Sequence, residues 1–434
     1  MSRVLLVATT TGYQTRSFGE AAERLGVELV FATDRCDVID DPWRDGAIPI
    51  RFHDEARSAA AILESARARS IDGILVVGDR PTVIAARVAQ GLGLPGHPPE
   101  AAAIARNKKM MRTRLRDAGL PVPWFISATI DQDPVSLTHQ SVPYPCVVKP
   151  VALSGSRGVM RADDARSFVA AFERLRALLA SPEVRAERDA AHDEVLIESF
   201  VPGREYAIEA ILHHGTFHVM AIFDKPDPLD GPFFEETIYV TPSAASTAEQ
   251  DRMVRGVAAA AKAIGLYHGP IHAECRVHPS TGEVFVLEVA ARPIGGLCAR
   301  SLRLTRGRVD DSLEALLLRH ALGESPASWT REPRASGVMM IPIPRRGILR
   351  RVEGIDAARA TPGIEDVRIT AKTDQTLVPL PEGASYLGFI FARAADAATV
   401  ERALNGAHAC LQVVIDPEVP MLAAGQTRYN RRHG

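Results

Sequence analysis

The run Pro145-Cys-Val-Val-Lys149-Pro150 closes a short apolar strand on a lysine, and Ser154-Gly155-Ser156-Arg157-Gly158-Val159 follows close behind it. A surface lysine ordinarily sits among polar neighbours, so an anion is the expected partner of Lys149. The glycines of the loop permit φ > 0 and close backbone approach, so successive N–H groups over Ser154, Gly155, Ser156 and Gly158 could cradle phosphate oxygens. Alone, such a loop is as often a plain turn. The preceding lysine, a point charge suited to α/β-phosphates, favours the phosphate reading. Further on, Glu194-Val-Leu-Ile-Glu198-Ser-Phe200-Val201-Pro-Gly-Arg-Glu205 reads as two strands joined at a Pro202-Gly203 bend. Glu198 could accept from an adenine amino group, the backbone at Phe200 and Val201 could pair with the adenine edge, and Glu205 could reach ribose hydroxyls. In isolation each glutamate is more often a solvated charge.

The sharpest signal lies in Pro270-Ile-His-Ala-Glu274-Cys-Arg276-Val and Glu283-Val-Phe-Val-Leu-Glu288-Val-Ala290-Ala-Arg292. Both arms alternate as strands do, with His272, Glu274 and Arg276 on one face of the first. The Ser280-Thr281-Gly282 connection makes a hairpin. A turn centred near Thr281 sets Glu274 directly opposite Glu288, where Cβ atoms lie roughly 5 Å apart and like charges repel. A bridging cation would resolve that conflict, and a register slip is the alternative. Oxygen-only ligands with spare positions suit Mg²⁺ with ATP, with Mn²⁺ as a substitute, rather than zinc. Arg292, beside Gly295-Gly296, is placed to stabilise a transferring phosphoryl group.

These residues need a scaffold. The chain opens as strand, loop, helix (about 16–25) and strand (27–32), and a second unit follows at 71–77 and ends in Gly78-Asp79-Arg80-Pro81. That pattern is doubly wound α/β. From about 107 a basic amphipathic helix, a Pro-rich linker (119–123) and short strands around one long helix (about 163–180) read as α+β, and the residues from about 334 read as a compact C-terminal subdomain. Gly91-Leu-Gly93-Leu-Pro-Gly96 follows a helix and contains Pro95, so it is a poor dinucleotide fingerprint. The His213-His214 pair sits on a strand, where neighbours point to opposite faces, and is expected to be a poor chelate. Asp224 to Thr237 reads as a substrate loop in which Glu235 or Glu236 could hold an ammonium group and Lys225 a carboxylate; a solvated connection with Phe233 and Phe234 packed inward is the alternative.

In 434 residues, 51 basic side chains against 53 acidic ones leave no electrostatic footprint for nucleic acid or an anionic membrane. Small-molecule partners follow. Cys36, Cys146, Cys275, Cys298 and Cys410 are odd in number and form no CxxC pair, which fits reduced thiols. The first apolar run, Val4 to Ala8, is too short for a signal segment or a membrane span, so a cytoplasmic location is expected.

Together these segments resemble the ATP-grasp superfamily, most closely its carboxylate–amine ligases, including L-amino-acid ligases. The resemblance runs over about 74–294. It implies an ATP-grasp fold with a Rossmann-like N-terminal domain (1–106), a nucleotide-binding part (107–212), a core with the metal site (213–330) and a C-terminal α+β subdomain (331–434). Asn107-Lys108 ahead of Ala118-Gly119-Leu-Pro121 is similar to the segment carrying the family's first nucleotide lysine, which points to Lys108. By the same resemblance Lys149 is the second lysine, residues 154–158 the phosphate loop, Glu198 and Glu205 the adenine- and ribose-side carboxylates, Glu274 and Glu288 the metal ligands, and Arg292 the phosphoryl-side arginine. Ala290 stands where many members carry an asparagine, so either another residue such as His272 or Arg276 compensates, or the chain binds a single Mg²⁺ or is catalytically weak. The implied activity is ADP-forming ligation of a small carboxylate to an amine, with a homodimer as the candidate assembly. A purine-pathway-type ligase or carboxylase and a non-catalytic ATP-binding regulator are the alternatives.

Overall fold

The computed structural model describes residues 1–9, 14–34 and 47–418; Cys36 lies outside them. The N-terminal strands Arg3–Ala8, Glu28–Thr33, Ile48–Pro49 and Gly73–Val77 form one parallel sheet, with Arg3–Ala8 between Glu28–Thr33 and Gly73–Val77. Both faces of Arg3–Ala8 are covered: Val4 and Leu6 pack with Phe18 of helix Gln14–Leu25, while Leu5 and Val7 pack with Ile62 and Ile84 of helices Glu55–Ala68 and Thr82–Leu92. Burial on both sides is why this strand reads as a continuous apolar run instead of alternating. Gly93 caps the Thr82–Leu92 helix at φ +67, its N–H donating to the Ala89 and Gln90 carbonyls, so the GxGxxG match is a helix stop.

After helix Lys108–Asp117, capped by the Asn107 side chain, an antiparallel sheet runs in the order Phe125–Thr129, Glu194–Ser199, Cys146–Pro150, Met160–Ala162. Helix Ala165–Leu179 backs it, presenting Phe168, Phe172, Leu175 and Leu179 at helical spacing. An Asp164–Ser167 capping box starts that helix.

The larger sheet has eight antiparallel strands in the order Val284–Ala290, Gly269–Val277, Arg204–His213, Thr216–Asp224, Ile238–Thr241, Ala335–Ile341, Gly388–Ala394, Ile364–Ile369. A domain border between 212 and 213 would cut the end off strand Arg204–His213. The changeover between sheets falls instead at the Phe200 to Gly203 bend. The C-terminal strands Ala335–Ile341, Ile364–Ile369 and Gly388–Ala394 continue this same sheet under helix Ala397–Ala409, so the C-terminal region shares its sheet with the core. No helix among the described residues is long and apolar enough to cross a membrane.

Candidate active site

A cavity of about 550 Å³ opens between the two antiparallel sheets, within the range of small-molecule sites. Its floor is the hairpin Gly269–Val277 and Val284–Ala290. Near the turn the register pairs Val277 with Val284 and Cys275 with Val286, which alone would set Glu274 opposite Leu287. A bulge beyond Cys275 shifts the register, and Glu274 comes to face Glu288. The bulge leaves carbonyls in need of donors. Arg112, fully buried on helix Lys108–Asp117, supplies them: its guanidinium donates to the Val286 and Leu287 carbonyls at 3.0 and 2.8 Å, and its Nε to Glu198 at 2.6 Å. One side chain thus ties the hairpin register to Glu198.

The two opposed carboxylates pair with different lysines. Lys108 Nζ lies 3.1 Å from Glu288 and donates to the Leu153 carbonyl, whereas Glu274 belongs to a second group. In that group Lys225 Nζ donates to Glu205, Glu236 and Glu274 at 2.8, 2.8 and 2.9 Å. Lys225 is therefore a hub between three carboxylates and not a free cation for a substrate carboxylate. Burial disfavours its charge, but the surrounding glutamates hold its pKa well above the ordinary lysine value. Burial likewise pushes the Glu236 carboxyl up, to about 7, helped by Glu274. Desolvation raises the half-buried Glu274 carboxyl, but Lys225 and His272 outweigh it and hold it well below the usual range.

Cross-strand register explains the rest of this face. Arg276 pairs with Glu205 and His272 with Glu209, and the side chains meet at 2.9 and 3.0 Å. Burial lowers the His272 pKa, but contacts with Glu209 and Glu274 outweigh it and raise it to about 9. His272 is also the register partner of Ala290, and its Nε2 lies 3.6 Å from Glu274. Of the two residues expected to compensate for the missing asparagine, His272 is the one that reaches Glu274. Arg276 is committed to Glu205 and the carbonyls of Val201 and Leu229.

The nucleotide-side residues line the same cavity, with Gly158 the exception. The Gly158 N–H donates to the Pro381 carbonyl, and a Cβ there would meet Leu175 at 2.8 Å, so this glycine serves a turn and a close approach, not a phosphate cradle. Gly155 and Ser156, at φ +63 and +55, face the cavity with Ser154. Lys149 Nζ lies 2.5 Å from Glu198, and burial lowers the lysine pKa to about 8. Glu198 is thus no free adenine acceptor here: a buried carboxylate needs cationic partners, and Arg112 and Lys149 provide them. Of the backbone groups expected to meet an adenine, the Phe200 N–H is taken by the Pro145 carbonyl and the Val201 carbonyl by Arg276. The Phe200 carbonyl and Val201 N–H are the pair that remains.

Arg292 lines the cavity and is held by a bidentate pair with Asp79, 2.9 and 3.0 Å. Burial raises the Asp79 pKa, but Arg292 outweighs it and holds the carboxyl below its usual value. Asp79 was readable only as part of the Gly78-Asp79-Arg80-Pro81 punctuation at the carboxyl end of a parallel strand, the place where open α/β sheets bind ligands. Glu209 carried a signal too: it follows Glu205 by an even spacing on an otherwise apolar strand, hence on the same face. Arg112 carried none, being one of several basic residues on its helix.

Family models place these features in context. The ATP-grasp domain matches residues 142–301, the ATP-grasp N-terminal domain 19–96, and the L-amino acid ligase C-terminal domain 2 residues 339–416. The crystal structure of an L-amino acid ligase from Bacillus licheniformis aligns with a TM-score of 0.79 at 25% identity, covering 96% of this chain and 99% of that one. The uncharacterized protein y4rH of Sinorhizobium fredii is 27% identical over 421 residues, 96% of this chain and 84% of its own. Carnosine synthase 1 of Gallus gallus is 28% identical over 319 residues, which is 68% of this chain but only 33% of that longer protein.

Proposed function

The chain belongs to the ATP-grasp superfamily as an L-amino-acid-ligase-like enzyme, and on that premise we propose that it is an ADP-forming carboxylate–amine ligase acting on amino acids or similar small acids. The observation that carries the proposal is the convergence on one cavity of two lysines, a glycine loop, two register-paired carboxylates and an arginine.

In this reading Lys108, Lys149 and the 154–156 loop bind the phosphates of ATP, and Glu205 lies on the ribose side. Glu205, Glu236 and Glu274 bring carboxylate oxygens within 4.8 Å of one another beside the hairpin, and that oxygen set fits a hard cation. Glu274 and Glu288 are the residues that would hold Mg²⁺, which when bound supplies positive charge to the phosphate oxygens. The acid's carboxylate attacks the γ-phosphorus and the bond to ADP breaks, giving an acyl phosphate. The amine attacks its carbonyl, phosphate leaves and a proton is released. Lysines and Arg292 offset the charge that otherwise keeps two anions apart. Glu236, with a pKa near 7 and a place on the cavity wall, is the group suited to take the proton of the incoming ammonium.

The test is ADP release across pairwise mixtures of amino acids, with mass spectrometry of products. Turnover that needs two substrates and yields an amide supports the ligase. ATP binding without turnover on amino acids or other carboxylates would favour the regulator reading that Ala290 motivates.

A further inference from the structure

At the far end of the strand that begins with Arg204 and Glu205, four histidines from three segments meet. The strand ends at His213; His214 and Gly215 make its two-residue turn at φ +49 and +83; His268 immediately precedes strand Gly269–Val277; and His320 lies in the last turn of helix Leu313–Ala321. The alternation argument against His213-His214 fails here. It holds for two residues in extended backbone, and the left-handed conformation of His214 swings its ring back beside that of His213, with centroids 4.6 Å apart. His214 and His268 rings are also 4.6 Å apart, and His268 stacks on His320 at 4.2 Å.

We propose that His213, His214, His268 and His320 form a binding site for a first-row transition dication, zinc foremost, distinct from the ATP cavity. Ligand nitrogens of His213, His214 and His268 all lie within 4.8 Å of one another. His213 Nδ1 and His320 Nε2 are 3.3 Å apart, the separation of two nitrogens bound tetrahedrally to one zinc at about 2.0–2.1 Å. The donor set is all nitrogen, which suits zinc, nickel, cobalt or copper and not magnesium. No acidic side chain among the described residues hydrogen-bonds these rings, so no carboxylate competes for their nitrogens. His97, close by, is not part of the set, because its ring nitrogens meet the Tyr267 N–H and the Pro270 carbonyl.

Six residues of extended strand separate His213 from Ala207, the register partner of Glu274, about 20 Å, so a metal there is too far away to sit between Glu274 and Glu288. It would instead pin the hairpin turn to helix Leu313–Ala321, whose last residue lies so close to the N-terminal sheet that a Cβ on Gly73 would come within 2.6 Å of the Ala321 carbonyl. The inferred role is therefore to fasten the N-terminal domain to the core.

The test uses the full chain without a polyhistidine tag, stripped by chelator and equilibrated with zinc at micromolar free concentration. Elemental analysis should find one zinc per chain, the unfolding midpoint should rise with zinc, and cobalt(II) should give the visible bands of a nitrogen-bound tetrahedral ion. His214→Asn keeps the turn, since asparagine tolerates the left-handed region, and should weaken zinc binding at least about tenfold. His268→Asn should do the same from a buried position. Absence of bound zinc in the wild-type chain, or equal zinc affinity in wild type and His214→Asn, would overturn the assignment.

Discussion

Replacing Lys225 by methionine removes one ammonium from among three carboxylates while keeping the length of the side chain. With Lys225 Nζ 2.8–2.9 Å from Glu205, Glu236 and Glu274, each contact contributes about 6 kcal/mol at an effective dielectric constant of about 20. The glutamate oxygens lie within 4.8 Å of one another, so each pair left behind repels by at least about 3.5 kcal/mol. Protonating one glutamate removes two of the three pairs, about 7 kcal/mol, which exceeds the roughly 5 kcal/mol needed to keep an ordinary glutamate protonated near pH 8. The variant should therefore take up a proton, with Glu236 the first to accept because its pKa is already about 7. The net loss should be about 3–5 kcal/mol, as for other buried ion pairs that lose one partner. Thermal unfolding without nucleotide reads this out. At pH 8 the midpoint should fall by roughly 3–6 °C, and it should fall less at pH 6. Added Mg²⁺ should restore part of the loss in the variant and do little to wild type. A variant midpoint equal to wild type at pH 8, or a deficit that grows on acidification, would refute the reasoning.

Arg112→Met should destabilise the chain by about 3–5 kcal/mol and weaken ATP binding, because it leaves buried Glu198 with Lys149 alone and takes the donor from the Val286 and Leu287 carbonyls; unfolding midpoints with and without ATP measure both effects, and an unchanged midpoint would count against the clamp. Glu288→Ala should abolish ADP formation and leave the fold intact, since this part-exposed carboxylate makes one ion pair among the described residues, with Lys108; undiminished turnover would remove it from the metal site. His272 has a folded pKa of about 9 against an ordinary 6.5, so it binds its proton more tightly when folded. Its contribution, about 3 kcal/mol, is fully present below pH 6.5 and is lost as pH rises through 9. The stability difference between wild type and His272→Gln should shrink over that window, and a constant difference from pH 6 to 10 would deny the Glu209–His272–Glu274 linkage.

The elements that local pattern controls were legible. Doubly buried strand Arg3–Ala8, the helix at 165–179 and the hairpin around Thr281 lie within a few residues of where periodicity and turn residues put them. So was the opposition of Glu274 and Glu288, but by a route that sequence could not supply. Counting from Thr281 assumes a regular ladder, whereas the observed ladder is offset by one near the turn and corrected by a bulge whose carbonyls are capped by Arg112 from a distant helix. Lys225 escaped for a similar reason, because its partners come from three separate stretches of chain. The pairing of Ile238–Thr241 with Ala335–Ile341, which merges core and C-terminal region, is likewise a long-range choice that no local period encodes. The His213-His214 argument failed on a single backbone angle.

The most direct test of the account is to supply an acid labelled with ¹⁸O in its carboxylate, together with an amine acceptor, ATP and Mg²⁺, and to weigh the phosphate released. Attack of that carboxylate on the γ-phosphorus requires label to pass into phosphate in step with amide formed, and the account predicts that transfer with ADP as co-product. Amide formed with unlabelled phosphate, or with AMP and pyrophosphate as products, would contradict it.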